Sequence, residues 1–199
     1  MPTILLIRHG ENEYSSANRL AARLPDVHLN ERGRQQARAL ADALQKREIC
    51  AIFSSPLERA IETAQPLALG MQLPVQVLPG LLELDYGELA GQSMNDLRDT
   101  PLWKQVHQQP SEVTFPSGES FRDAQERMVI TLEDLATRFG PKDVVACFTH
   151  GDPIRLALAH FLSMPLDEFH RLFVATAGLC QIDLNGTRPQ VICINILYS

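Results

Sequence analysis

The sequence predicts an α/β fold with three layers, in which a mostly parallel central sheet carries helices on both faces. Short apolar runs of strand length alternate with segments whose apolar residues recur every three or four positions. No linker, internal repeat or low-complexity stretch interrupts this alternation. With 199 residues, 45% of them hydrophobic, the chain can bury one full core, so we expect a single domain over 1–199.

The first strand and the first long helix are marked by the residues that flank them. The apolar run 4–7 contains β-branched residues and is closed by Gly10, which is typical of a buried strand. Asn30 precedes a helical pattern and is predicted to be its N-cap. The apolar face of that helix consists of Ala37, Leu40, Ala41 and Leu44.

A second strand and helix follow along the chain. Residues 52–54 are predicted to form a short strand, after which Ser55 is expected to cap a helix that has Pro56 as its first residue. Pro66 is expected to kink or end this helix, because proline lacks the N–H that the helical ladder needs. Residues 75–78 have the composition of a further strand.

The second half of the chain predicts one long helix, a buried strand and a hairpin. Ser120 is the expected N-cap of the long helix, and 143–148 is a strand followed by a helix that restarts at 152–153. Near the end, residues 179–184 and 191–196 flank an Asn-Gly pair, which is typical of an antiparallel hairpin. We expect this hairpin at an edge of the sheet.

Two strands are each followed by a histidine and a glycine. Arg8 and His9 follow the first strand, and His150 follows the strand at 143–148. An Arg-His pair at one strand end also fits surface hydrogen bonding, but two such units in a parallel sheet place both histidines at one edge. Arg59 is expected in the first turn of its helix, where an anion is favoured. Arginine binds phosphate oxygens and histidine can attack phosphorus, so the set predicts phosphate chemistry.

Four motifs occur in order along nearly the whole chain. They are Arg8-His9-Gly10-Glu11, the run Ser54–Ala60 with Thr63-Ala64, Glu83 ahead of Gly87 and Gly91, and Thr149-His150-Gly151. This order resembles the histidine phosphatase superfamily, also called the phosphoglycerate-mutase-like family. The resemblance implies that His9 becomes transiently phosphorylated and that Glu83 is the proton donor. It also implies a phosphate pocket completed by Arg8, Arg59 and His150.

The residues themselves set requirements for this chemistry. His9 must be neutral to attack phosphorus, so we expect one of its ring nitrogens to donate to a backbone carbonyl. Glu83 has apolar sequence neighbours, which are expected to raise the pKa of its carboxyl towards neutrality. His150 is expected to become protonated when a phosphate dianion is bound nearby.

Further substrate contacts are implied by position. Many family members carry a threonine or serine after the first motif and an asparagine three residues later, where this chain has Asn12 and Ser15. We assign substrate binding to these two residues and to Gly151, whose amide opens the predicted helix after His150.

Between about 91 and 120 the apolar periodicity weakens, and the resemblance implies that this insertion forms a small cap over the pocket. Arg98, Lys104 and His107 either contact a second anionic group of the substrate or belong to a solvated helical face. The same two interpretations apply to three residues after the first motif: Arg19, Arg23 and His28.

Within the family, the run 115–120 followed by Arg127 resembles the phosphatase members. The paired arginine that cofactor-dependent mutases carry in the cap is not present. We therefore expect a metal-independent phosphatase that hydrolyses a small phosphomonoester through a phosphohistidine on His9. A phosphoglycerate-type mutase and a catalytically silent phosphate-binding module are the alternatives.

Other chemistries have less support. The sequence carries no cysteine-phosphatase, serine-hydrolase, P-loop or dinucleotide-binding signature, and no cofactor is expected. Residues that could assemble a metal site are His9, Glu11, His28, His150 and Asp152. The adjacent Arg8 and Arg59 would repel a divalent cation, so we expect no metal.

Composition limits the partners. A net charge of −6 without a basic run argues against nucleic-acid binding and fits a small phosphorylated metabolite. Three of the four cysteines lie in apolar strand-like runs, which predicts buried, reduced thiols. No apolar stretch of about 18 residues or signal segment is present, so we expect no membrane association and a cytoplasmic location. The terminal hairpin offers an edge for a possible homodimer.

Overall fold

One six-stranded sheet organises the computed structural model, which describes residues 1–186 and 188–198. The strands are β1 (Thr3–Arg8), β2 (Ile49–Ser54), β3 (Val75–Val77), β4 (Val144–Thr149), β5 (Leu179–Asp183) and β6 (Gln190–Ile196). Their order across the sheet is β3-β2-β4-β1-β5-β6. The first four strands are mutually parallel. β5 runs antiparallel to β1, and β6 runs antiparallel to β5, so these two strands form one edge of the sheet. The predicted mostly parallel sheet and the edge hairpin are confirmed.

Helices cover both faces of this sheet. They are α1 (Glu13–Ser16), α2 (Glu31–Leu44), α3 (Glu58–Met71), α4 (Met94–Leu97), α5 (Pro101–Gln108), α6 (Phe121–Arg138) and α7 (Gly151–Phe161). Along β1, Leu5 and Ile7 pack in one hydrophobic cluster with α2 and α3. Ile4 and Leu6 point to the other face and share a cluster with α6 and α7. The central strands are apolar on both faces because both faces are covered, and the three-layer fold is confirmed.

The caps of the long helices agree with the sequence. Asn30 Oδ1 accepts a hydrogen bond from Gly33 N at 2.9 Å and starts α2. Ser120 and Asp123 form a reciprocal capping box at the start of α6. α7 begins at Gly151, directly after His150, as expected. Side chains placed early in these helices therefore have fixed positions relative to the ends of the strands.

The prediction for the start of α3 is wrong. This helix begins at Glu58 with Leu57 as N-cap, so Ser55 and Pro56 belong to the extended segment before it. Ser55 is instead buried at the end of β2, where its hydroxyl bonds to His150. The expected early end at Pro66 is also wrong, since α3 continues to Met71. Burial of the apolar face of α3 on the sheet outweighs the one backbone hydrogen bond that proline removes.

The insertion between 91 and 120 contains α4, α5 and a short 3₁₀ turn, Pro110–Glu112. Cys147 and Cys180 are buried, but Cys193 is only half-buried, because β6 is an edge strand with one open face. Cys50 is exposed, and all four cysteines are free thiols. Among the described residues, none of the helices combines the length and hydropathy that crossing a lipid bilayer would require.

Candidate active site

The two predicted histidines meet at the carboxyl edge of the sheet. β1 and β4 are adjacent and parallel, and their register pairs Arg8 with Thr149. His9 N donates to Thr149 O at 2.9 Å, which carries the pairing one residue beyond the strand. The imidazole rings of His9 and His150 therefore lie with their centroids 5.2 Å apart. The structure therefore brings the two imidazoles together at one edge of the sheet.

Two arginines, Arg59 fully buried and Arg8 half-buried, lie beside this histidine pair. Arg59 has no solvent exposure and holds Ala22 O through Nη2 at 2.6 Å, while its Nε and Nη1 have no partner among the described residues. Arg8 donates from Nη1 to Val174 O, and its Nε is likewise without a described partner. Burial lowers the pKa of Arg59 to about 10 and also lowers the pKa of Arg8. Both line the same cavity as His9, so their unused donors suit an anion there.

The environment of His9 favours the neutral form of its imidazole. Its Nδ1 lies 2.7 Å from Gly10 O, and because a carbonyl only accepts, Nδ1 carries the proton. Nε2 is then left with its lone pair. Burial, followed by the charges of Arg59 and Arg8, lowers the pKa of His9 well below its usual value. The expected contact between a ring nitrogen and a backbone carbonyl is confirmed, and the lowered pKa favours the neutral imidazole.

Glycine is required next to this histidine. A Cβ on Gly10 would lie 2.7 Å from Gly33 O in α2, so no larger residue fits without moving backbone. Gly10 N also donates to Thr63 Oγ1 on α3 at 2.9 Å. The segment after β1 is thus fixed between two helices, and the direction of the His9 ring is fixed with it.

His150 is held by a residue that sequence reasoning assigned to a different role. Its Nε2 lies 2.8 Å from Ser55 Oγ, and its Nδ1 is buried without a hydrogen-bond partner among the described residues. Burial and the charge of Arg59 lower the pKa of His150 well below its usual value. The signal in the sequence for this contact was the position of Ser55 directly after a predicted strand. The lowered pKa favours the neutral form of His150.

Glu83 completes the cluster as a carboxylic acid. Its Oε2 lies 3.9 Å from His150 Nδ1, and Leu84 N donates to its Oε1 at 2.9 Å. Burial and then the nearby Asp152 carboxylate raise the pKa of Glu83 to about 7. The expected raised pKa is confirmed. This rise in pKa brings the protonated carboxyl of Glu83 into reach near neutral pH.

Asp152 extends this side of the cavity. It accepts hydrogen bonds from the Tyr86 hydroxyl and from Arg155, and all three residues line the cavity. The sequence suggested the Asp152 side chain only as a metal ligand and its amide as a phosphate contact, and it gave no role to Tyr86 or Arg155. Asp152 and Arg155 are an i,i+3 pair within α7, whereas the contact with Tyr86 arises from the packing of α7 against the segment after Leu84.

Replacing Asp152 with asparagine should shift the alkaline limb of the activity profile to lower pH. The change removes a negative charge near Glu83 and leaves Arg155 without its counter-charge, and both effects favour the Glu83 carboxylate. A lower pKa means that the proton is lost at lower pH. The measurement is kcat/KM against pH for the variant and the wild type; coincident alkaline limbs would contradict the effect of Asp152 on Glu83.

The assigned substrate contacts differ in their geometry. Asn12, Ser15 and Gly151 all line the cavity. Asn12 is buried, and its Nδ2 has no described partner. The hydroxyl of Ser15 is instead bonded to the backbone of Asn12, and Asn12 Oδ1 accepts from Ser15 N, which together form the capping box of α1. Asn12 thus offers an unused N–H donor to the cavity, whereas the hydroxyl of Ser15 is already engaged by the backbone of Asn12.

The cap covers the far half of a cavity of about 340 Å³. Its lining residues from the cap are Met94, Trp103, Val106 and His107. Arg98 and Lys104 are exposed and do not line the cavity, which supports the solvated-face interpretation for these two. His107 does line it, and its ring lies 5.0 Å from that of His170.

The three residues after the first motif also differ in whether they line the cavity. Arg19 lines the rim of the cavity, where its guanidinium donates to Gly91 O. His28 is exposed and pairs with Glu62. Arg23 is half-buried and pairs with two carboxylates, away from the cavity lining.

His9, Glu83 and His150 also have the geometry of a possible metal cluster, since their ligand atoms lie within 4.8 Å of one another. The positive charges of Arg8 and Arg59 beside them oppose a divalent cation. The same charges favour a phosphate dianion. The donor set therefore fits an anion better than a metal ion.

Comparison with known proteins agrees with this geometry. Residues 4–197 match the family model of the histidine phosphatase superfamily, branch 1. Phosphoserine phosphatase 1 of Hydrogenobacter thermophilus is 28% identical over 198 residues, which are 98% of this chain and 93% of that protein. The 2,3-bisphosphoglycerate-dependent phosphoglycerate mutase of Thermoplasma acidophilum is 30% identical, covering 92% of this chain and 88% of that protein.

A solved structure shows the same fold. A mycobacterial glucosyl-3-phosphoglycerate phosphatase in complex with VO3 superposes with a TM-score of 0.88 at 28% identity, covering 97% of this chain and 98% of that chain. The family match spans both strand–His–Gly units and the segment that carries Arg59 and Glu83. This chain belongs to the histidine phosphatase superfamily, branch 1.

Proposed function

We propose that the protein is a metal-independent phosphomonoester hydrolase that works through a phosphohistidine on His9, with Glu83 as the proton donor. The observation that carries this proposal is the state of His9. Its proton is held on Nδ1 by Gly10 O, and its unprotonated Nε2 belongs to a cavity that two guanidiniums with unused donors also line. Related proteins that are named phosphatases support the same activity.

In the first step, the substrate phosphate lies between Arg8, Arg59 and the two imidazoles. The dianion raises the pKa of His150, which then donates to a phosphate oxygen. His9 Nε2 forms a bond to phosphorus while the phosphorus–oxygen bond to the leaving group breaks. Glu83 gives its proton to the departing alkoxide, so that the alcohol leaves neutral and Glu83 becomes a carboxylate.

The second step reverses these roles. Water attacks phosphorus, and the Glu83 carboxylate accepts its proton. The bond between phosphorus and His9 Nε2 breaks, which restores the neutral imidazole and releases inorganic phosphate. Positive charge from Arg8 and Arg59 stabilises the equatorial oxygens in both steps without having to rearrange.

We propose a small phosphorylated metabolite as the substrate. A cavity of about 340 Å³ exceeds the size of one phosphate and leaves room for a leaving group. The part of the cavity lined by the cap also contains Arg155 and His107 beside apolar cap residues. These side chains suit a polar or acidic leaving group. Relatives named for phosphoserine and glucosyl-3-phosphoglycerate act on compounds of this kind.

Replacing Glu83 with glutamine should reduce turnover of alkyl phosphomonoesters about 100- to 10,000-fold, the usual range for general acid catalysis. Hydrolysis of p-nitrophenyl phosphate should fall far less, because p-nitrophenolate leaves without a proton. Steady-state kinetics with both substrates in EDTA measures the difference. Equal losses on the two substrates would remove Glu83 from the role of proton donor, and loss of wild-type activity in EDTA would contradict metal independence.

A phosphomutase is the second candidate, because the Thermoplasma relative carries that name. It would transfer phosphate between two sugar-acid phosphates without net release of phosphate, whereas the hydrolase releases phosphate stoichiometrically. A silent binding module would bind phosphate but would neither release it from a substrate nor transfer it between two substrates. A panel of phosphorylated metabolites, assayed for free phosphate and for exchange, separates all three. A cytoplasmic location, the absence of nucleic-acid and membrane partners, and a homodimer through the β6 edge remain predictions.

A further inference from the structure

We propose that Glu119, together with Arg23 and Arg127, positions the acid Glu83 by holding the backbone of its loop. We call these three residues the guanidinium clamp. The role rests on the proposed function of Glu83 as proton donor. None of the three lines the cavity, so the clamp acts through Glu83 and not on the substrate.

The loop that carries Glu83 has little regular structure of its own. It lies between two short 3₁₀ turns, Pro79–Leu81 and Gly87–Leu89. Backbone groups without a helical or strand partner must be satisfied by other residues if the loop is to hold one conformation. In this loop, the carbonyls of Gly80, Leu82 and Glu83 accept from arginines, and the amides of Leu84, Asp85 and Gly87 donate to carboxylates.

The carbonyls are bound from two directions. Arg127, on α6, donates from Nη1 to Gly80 O at 2.8 Å and to Leu82 O at 2.9 Å. Arg23, which lies after α1, donates from Nε to Glu83 O at 2.8 Å. Arg127 Nη2 approaches that same carbonyl at 3.5 Å. The main chain on both sides of the acid is thereby fixed to a core helix and to the segment that follows the first motif.

Glu119 joins the two arginines. Its Oε1 accepts from Arg23 Nη2 at 2.8 Å and from Arg127 Nη2 at 2.7 Å. The same oxygen accepts from Asp85 N at 2.9 Å, two residues beyond Glu83. The three clamp side chains are only 17–28% exposed, so their charges are screened less than those of surface ion pairs. Without Glu119, two guanidiniums would face each other at the Glu83 carbonyl and repel.

The clamp explains why the run 115–120 and Arg127 occur together in the sequence. Two glycines bring that run against the loop of Glu83. A Cβ on Gly118 would lie 2.3 Å from Asp85 O, and Gly87 has a φ of +51° with Pro116 O only 1.9 Å from its own Cβ position. This docking places the Glu83 carboxyl 3.9 Å from His150 Nδ1. A displacement of about 1 Å at such a site can cost about 100-fold in rate.

The test compares two clamp variants, Glu119→Ala and Arg23→Gln, with Glu88→Gln as the matched control. Glu88 is an exposed acid that binds Ser117 in the same turn but touches no part of the clamp. Each variant is assayed on p-nitrophenyl phosphate and on the alkyl phosphomonoester that the wild type hydrolyses fastest. Inhibition by inorganic phosphate and the Tm are measured in parallel.

For Glu119→Ala we expect turnover of the alkyl substrate to fall about 10- to 100-fold, against less than about threefold on p-nitrophenyl phosphate. Phosphate inhibition should be unchanged, Arg23→Gln should show a weaker loss of the same kind, and Glu88→Gln none. Equal losses on both substrates, or no loss on either, would overturn the clamp. If Glu119→Ala fails to fold, Arg23→Gln decides alone. If Glu83→Gln itself shows no difference between the substrates, the proton-donor assignment fails instead.

Discussion

Replacing His9 with alanine should reduce turnover by about 10,000-fold or more on every phosphomonoester, including p-nitrophenyl phosphate. The neighbouring imidazole of His150 is not placed to take over the attack on phosphorus. His150 is bonded through Nε2 to Ser55, and its Nδ1 faces the Glu83 carboxyl at 3.9 Å. The alanine leaves Arg8 and Arg59 in place, so the variant should still bind phosphate.

Trapping the intermediate provides the direct measurement. A phosphohistidine is labile in acid, so wild-type protein mixed with labelled substrate has to be quenched under alkaline conditions. Label should remain on the wild type and be absent from the His9→Ala protein. The matched control is His160→Ala, which removes an exposed imidazole from the last turn of α7, far along the helix from the site. Appreciable hydrolysis by the His9→Ala protein would mean that the nucleophile is wrongly assigned.

Replacing Arg59 with methionine should have opposite effects on activity and on stability. The kcat/KM should fall about 100- to 1,000-fold, because one fixed positive charge on the equatorial oxygens is lost. The phosphate-free protein should nevertheless have a Tm higher by several degrees. Arg59 is wholly buried, and the reduction of its pKa from 12.5 to about 10 corresponds to a cost on the order of 3 kcal/mol for keeping it charged.

Methionine keeps most of the packing volume and loses one hydrogen bond, to Ala22 O, worth about 1 kcal/mol. The net gain should be visible in thermal unfolding, since about 1 kcal/mol shifts the Tm of a domain of this size by about 2–4 °C. Excess phosphate should raise the wild-type Tm and have much less effect on the variant. Arg98→Met, at an exposed cap position, is the control and should change neither quantity. A lower Tm for Arg59→Met without phosphate would show that the arginine stabilises the fold.

The sheet, the long helices and the meeting of His9 with His150 could be predicted because their signals are local. Strand-length apolar runs end directly at His9 and His150, and parallel strands bring such ends together. The predicted start of α3 was wrong because serine is a residue type favoured at helix N-caps, whereas Ser55 binds His150, which lies 95 positions away in the sequence. The contact between Tyr86 and Asp152 was missed for the same reason. Polar contacts between distant segments leave no periodic pattern, so only the folded chain shows them.

The position of β1 in the sheet has a consequence for how the protein is made. β1, the strand that leads into His9, has both of its neighbours, β4 and β5, in the last third of the chain. During synthesis, which proceeds from the N-terminal side, this very apolar strand must wait for partners until most of the polypeptide has left the ribosome. Enzymatic activity is therefore acquired late, and it reports that the whole domain has been completed.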